Sequence, residues 1–241
     1  IVLHAWMALP IVEAGRVTGV FFETKSGRQA IRAKVVVDAT GDGDVFARAG
    51  AEFDNDIDEG DVHHSMNTGF TIGGVDMDRW IAFRTGQPEQ FAAFMTLGRE
   101  RLGFFQPPYV SWRKDIALFL GPRQSGLSGV DVDDMTEVEI RSHRHLYTHC
   151  NFFRQHAPGF EQAYMLQSAN QLGVRHTRRL RGVGKLLRSQ WSEGIALPTE
   201  VGVSPSVSPK FPVISVPYEA LLPLRLDGLL ADLRRTAEAG R

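Results

Sequence analysis

The stretch Lys34-Val35-Val36-Val37-Asp38, followed by Ala39-Thr40-Gly41-Asp42-Gly43-Asp44, constrains the fold more than any other part of the chain. A continuous β-branched run has the pattern of a strand buried on both faces, as in a parallel sheet, because a half-solvated strand alternates apolar and polar residues. The run stops in small and acidic residues, and Asp44-Val45-Phe46-Ala47-Arg48-Ala49 then fits a short helix. Strand, tight turn and helix in succession predict an α/β or α+β domain with the turn at the carboxyl end of a parallel strand. Small residues and backbone amides at that place let a bulky or anionic ligand approach the chain closely, and nucleotides bind there in open α/β sheets. The same residues also fit a purely structural connection, with Gly41 and Gly43 at positive φ and Asp42 or Asp44 as the helix N-cap.

Length and charge narrow the class. With 241 residues and 43% hydrophobic composition the chain can bury a substantial core as one large or two small domains. The 27 basic and 28 acidic side chains nearly cancel, so no global field favours nucleic acid or an anionic membrane. No apolar run reaches the roughly 18 to 20 residues of a membrane span. Cys150 is the only cysteine, which excludes an intrachain disulfide and any cysteine-built iron-sulfur or zinc site, and fits a reducing cytoplasm. The opening Ile1-Val2-Leu3-His4 lacks an initiator methionine and starts in mid-strand, so the sequence is expected to be a piece of something longer.

Residues 1–38 read as a β-meander, with Glu13-Ala14-Gly15 and Lys25-Ser26-Gly27 as turns. Loop and then strand are predicted for 52–75, and irregular structure with short strands over 76–132. A helix is predicted from Thr136, which stands in capping-box spacing with Glu139, to before Pro158; Met135, Val138, Leu146, Cys150 and Phe153 share one face. A second helix is predicted over 160–173, ending at Gly173. Loop and edge strand follow over 196–218, then a helix-like segment from Asp227 to the end.

Across most of its length the chain resembles the FAD-dependent oxidoreductases related to the flavoprotein subunits of fumarate reductase and heterodisulfide reductase. The resemblance rests on GRVTGVFFETKSGRQAIRAKVVVDATGDGDVFARAGAEF, GFTIGGVDMDR, APGFEQAYMLQSANQLGVRHTRRLRG and FPVISVPYEALLPLRLDGLL, in that order. It implies three segments: residues 1–59 as the β-meander and Ala-Thr-Gly turn of a flavin-binding domain, 60–195 as a cap or substrate domain, and 196–241 as the return. It further implies that Ala39, Thr40, Gly41, Asp42, Gly43 and Asp44 line the FAD site. Arg175, Arg178 and Arg179 would lie where the cap meets the flavin and hold an anionic substrate, with His176 as proton donor. The implied reaction is hydride transfer between flavin and a small, anionic organic substrate; a second copy or an electron-transfer protein are the partners it leaves open.

The chain departs from the family in three places. No Gly-x-Gly-x-x-Gly follows a strand, so the chain is expected to carry half of an FAD site. Gly228-Leu229-Leu230 runs into charged helix formers where the family has a small-residue turn, so truncation or a frameshift after about Leu230 is expected. His176 and Gly184 replace an acid and an aromatic of the family pattern, and the competing reading is a remnant or binding module without flavin.

Other constellations are weaker. Asp54, Asp56 and Asp58 imitate a calcium loop, but Gly60 falls one residue late and Ser65 stands where a bidentate Glu is needed, so a solvated acidic loop is expected. His145 and His149 lie one turn apart beside His143 and Cys150; with no third ligand evident, a surface histidine face beside a core cysteine is expected, and His63-His64 reads the same way. The basic run over 174–188 lacks the interleaved aromatics of a nucleic-acid site.

Overall fold

The computed structural model describes residues 1–55, 66–204 and 214–224. In chain order the elements are β1 (Trp6–Glu13), β2 (Arg16–Thr24), β3 (Gly27–Arg32), α1 (Asp44–Arg48), β4 (Phe53–Asn55), β5 (Met66–Gly73), α2 (Met77–Gly86), α3 (Pro88–Leu102), β6 (Tyr109–Val110), β7 (Ile116–Gln124), α4 (Val132–His156), β8 (Tyr164–Ser168), β9 (Arg178–Leu180), α5 (Arg188–Glu193), β10 (Glu200–Ser204) and β11 (Ile214–Pro217). The mixture of helices with several small sheets is of the α/β or α+β class. Every strand pairing among the described residues is antiparallel. The chain divides into two compact units, Ile1–Asn55 with Arg178–Arg241, and Asp56–Thr177.

The first unit opens with the meander β1-β2-β3. Ala14 and Gly15, both at positive φ (49° and 72°), make the two-residue turn between β1 and β2, whose twist suits a tight hairpin. Pro10 lies in β1, an edge strand, where a missing N–H costs no ladder bond. Arg48 at the end of α1 donates to the carbonyl of Ala8, tying that helix to β1. Asp227–Arg241, predicted helix-like, lies outside the described residues.

Val35 and Val37 overturn the expectation of a strand buried on both faces. The ladder ends one bond past Arg32, where the Ala33 amide donates to the Thr18 carbonyl at 3.0 Å; residues 34–38 form no strand, and Val35 and Val37 are 77% and 81% exposed. The apolar pattern needs flanking strands to bury it, and among the described residues none pairs with this stretch.

The second unit is a four-stranded sheet ordered β6-β7-β5-β8, with α4 against β5, β7 and β8. Met66, Thr68, Phe70 and Ile72 alternate inward along β5, the period-2 signature of a half-covered strand. Val138, Leu146, Cys150 and Phe153 of α4 are buried, as their spacing predicts. The core is aromatic: Phe153 lies 4.9 Å from Phe119 and from Phe160 by ring centroids, and Trp80 lies 5.5 Å from Phe160.

Three local expectations are corrected in this unit. Helix α4 begins four residues before Thr136 because Asp131 caps it, accepting from the amides of Asp133 and Asp134; Thr136 Oγ1 instead donates back to the Val132 carbonyl at 2.7 Å. Asp131→Ala is expected to destabilise the protein by about 1 kcal/mol, read as a lower thermal midpoint; an unchanged midpoint would mean that the helix start does not depend on this cap. Residues 76–102, expected to be irregular, form α2 and α3: Asp76 accepts from the Arg79 amide and Pro88 occupies the first turn of α3. Residues 164–168, expected to be helical, form β8, because the open edge of β5 offers ladder bonds that outweigh weak helical propensity. Gly173 caps no helix; its amide donates to the Asn67 carbonyl at 2.7 Å.

Candidate functional site

The turn between residues 38 and 46 is wired by two side chains. Asp38 accepts three bonds: from the Thr40 amide (3.1 Å), from the Thr40 hydroxyl (2.7 Å) and from the Phe46 amide (2.9 Å). Thr40 Oγ1 in turn accepts from the Asp44 amide at 2.8 Å. The first turn of α1 is therefore capped from upstream, by Asp38 and Thr40. Gly43 occupies the N-cap position at φ 68°, not Asp42 or Asp44 as one sequence reading had it.

Gly41 and Gly43 are both left-handed, at φ 86° and 68°, but their surroundings differ. A Cβ on Gly43 would lie 2.0 Å from the Phe46 ring, so this glycine is required by packing. A Cβ on Gly41 would meet nothing within 4 Å, so the backbone there borders open space. The turn thus offers a ligand exposed main chain at Gly41, with Asp38 holding the Thr40 amide and Arg178 the Asp42 carbonyl on either side. Asp38 is the residue that sequence reasoning left out of the site, although Asp-x-Thr ahead of a glycine is the pattern of a side chain closing a turn on its own backbone.

Arg178 reaches this turn from 134 residues away. Its Nη1 donates to Asp44 Oδ1 at 3.0 Å and to the Asp42 carbonyl at 3.1 Å, with its side chain 15% exposed. The guanidinium stands 5.8 Å over the Phe53 ring, and Phe53 lies 6.1 Å from Phe46. The register of β4 with β9 sets this up, pairing Asn55 with Arg178 and Asp54 with Arg179.

The other sequence-predicted residues are distributed differently. Arg179 is an exposed residue of β9. Arg175 is exposed and His176 half-buried in the irregular stretch 174–177, which belongs to the Asp56–Thr177 unit. Arg181 donates to Asp54 Oδ1 at 2.6 Å and lies 3.8 Å from Glu52. Two cations of the 174–188 run are thus already matched by acids of the same unit.

The histidine pair is not a surface face. His145 is exposed, but His149 is 4% exposed, its Nδ1 at 2.8 Å from the His145 carbonyl and its Nε2 at 3.3 Å from that of Phe104. Among the described residues no three His, Cys, Asp or Glu are grouped to hold a metal. Asp56, Asp58, Gly60, His63, His64 and Ser65 fall outside the described residues.

Burial pushes the pKa of His149 below its ordinary 6.5 and raises that of the Cys150 thiol. An unfolded histidine takes up its proton before the buried one does. The stability this neutral ring confers is therefore complete above about pH 6.5 and is lost as pH falls toward the depressed folded value. Between pH 7.5 and 5.5 the urea midpoint is expected to fall, and to fall less in His149→Gln; equal slopes in the two proteins would refute this role.

The chain belongs to the family described as FAD dependent oxidoreductase, which matches residues 1–208. Neither a curated protein nor a solved structure matches it. Membership makes the protein a flavin-linked oxidoreductase in its general function. Among the described residues no helix is long and apolar enough to cross a membrane.

Proposed function

We propose that residues 39–44 hold FAD and that the chain contributes to hydride transfer between the flavin and a small, anionic organic substrate. The observation that carries this reading is the open main chain at Gly41, kept in shape by the hydrogen bonds of Asp38 and Thr40. The turn bears three carboxylates, Asp38, Asp42 and Asp44, so it suits a hydroxyl-bearing part of the dinucleotide better than its pyrophosphate, which these charges would repel. Phosphate binding then falls to a glycine-rich loop that this sequence lacks, and the site on this chain is half of one.

When bound, FAD supplies a two-electron carrier at its N5 position. The chain's own part is to hold and orient. Ala39 to Asp44 present backbone to the cofactor, and the Arg175, Arg178 and Arg179 segment supplies permanent positive charge, suited to a carboxylate substrate or a reduced flavin. His176 moves the proton that accompanies the hydride. In this reading residues 60–195 are the cap or substrate domain, and the single cysteine leaves no iron-sulfur relay in the chain.

The test is a visible spectrum of purified protein with added FAD, after removal of free cofactor. Flavin bands between roughly 370 and 450 nm are expected to be retained and to bleach with an artificial reductant. A screen of small carboxylates should find one that bleaches or reoxidises them. No retained flavin at high added FAD would overturn the reading.

A further inference from the structure

The geometry points to Arg178 as a positioning residue that locks the 38–46 turn, an inference resting on the FAD reading above. Asp38 and Thr40 fix the first half of the turn through the amides of Thr40, Asp44 and Phe46. Nothing in that set holds the Asp42 carbonyl or the carboxylate of Asp44. Arg178 holds both through one guanidinium nitrogen, at 3.1 and 3.0 Å.

Three features make this more than a surface ion pair. The pair is largely withdrawn from water, at 15% and 24% side-chain exposure, where charge-assisted bonds are strong and an abandoned partner is costly. The guanidinium packs over Phe53, and Phe53 packs against Phe46, whose ring fills the space above Gly43, so cation, rings and turn form one contact chain. Arg178 is also a strand residue, with its backbone fixed opposite Asn55. Arg48 reaches the Asp44 carboxylate only at 4.0 Å, so losing Arg178 removes the nearer cation from a turn that carries three carboxylates within seven residues and leaves their repulsion less compensated. A lysine could keep the charge but not the planar stack on Phe53.

This role is distinct from the charge Arg178 lends to substrate or flavin in that reading, and it can be measured separately on the full chain. FAD affinity is read by quenching of flavin fluorescence, and hydrogen exchange of the peptide covering residues 38–48 is read without FAD. Arg178→Met is expected to weaken FAD binding about tenfold and to speed exchange at residues 42–48 by a similar factor, on the scale of a lost charge-assisted bond. Asp44→Asn should do the same, the double variant should be no worse than either single one, and Arg178→Lys should fall between.

Unchanged exchange in Arg178→Met, additive effects in the double variant, or equal acceleration across Trp6–Arg32 would each overturn the proposal. Should Arg178→Met not fold, Arg178→Lys and Asp44→Asn carry the same test. A wild-type protein that binds no FAD would sink the flavin reading alone, because the exchange measurement judges the lock independently.

Discussion

Phe153→Ala is expected to destabilise the Asp56–Thr177 unit by about 3–5 kcal/mol. Phe153 has no exposed surface, and its ring lies between 4.9 and 6.1 Å from those of Trp80, Phe94, Phe105, Phe119, Phe152 and Phe160. It joins α2, α3, α4 and β7 at one point, so truncation opens a cavity bordered by rigid rings from four elements, which cannot collapse into it without leaving their own contacts. Phe153→Leu should recover more than half of the loss by filling most of the volume. Urea unfolding followed by near-ultraviolet circular dichroism reads the result. A loss below about 1.5 kcal/mol for the alanine variant would mean that the ring cluster repacks freely.

Asp38→Ala is expected to give the second-largest effect, a loss of about 2 kcal/mol together with at least tenfold weaker FAD binding. One carboxylate accepts from three donors, and two of these are amides that no other described side chain receives. Removing it leaves the Phe46 amide at the start of α1 without its acceptor and frees the Thr40 hydroxyl to rotate away from the Asp44 amide. Asp38→Asn keeps the shape and one acceptor oxygen, so it should retain part of the affinity. Thermal melting and FAD titration together check this, and an alanine variant with wild-type affinity would show that the turn keeps its form without the carboxylate.

Elements whose signals are local were legible in the sequence. The meander follows from its turn residues, Ala14-Gly15 among them, β5 falls within the 52–75 stretch expected as loop and then strand, and α4 follows from the repeat of Val138, Leu146, Cys150 and Phe153. Misreadings came where a residue's meaning depends on a distant neighbour. Residues 76–132, rich in aromatics, prolines and glycines, read as irregular, yet a Cβ on Gly98 would lie 2.3 Å from the Phe105 ring, so that glycine serves close packing inside α3. Tyr164 to Ser168 could be helix or strand until β5 offers an edge. Val35 and Val37 are apolar enough for a core strand but have no flanking strand among the described residues.

The turn itself stood out by composition and by its family pattern. Its wiring was half visible: Asp38 and Thr40 act on residues within eight positions, a range that turn chemistry covers. The Arg178 contact was not visible. No local pattern marks which arginine in Val174-Arg175-His176-Thr177-Arg178-Arg179 faces an aspartate 134 positions earlier, and only the β4–β9 register selects it.

That separation also sets a timetable for synthesis. The first unit is discontinuous, with Asp56–Thr177 between its two parts. At about 5–20 residues per second, the ribosome finishes the turn roughly 7 to 27 seconds before it makes Arg178, given 134 intervening positions. Through that interval the acidic turn has Arg48 beside Asp44 but lacks the closer contact of Arg178, while the residues of the inserted unit's aromatic core are made. Asn55 and Arg178 pair across this insertion, and closing a loop costs less entropy when its residues are already compact. Substitutions that slow folding of the Phe153 core should therefore delay the pairing of β4 with β9, even though they lie in the other unit.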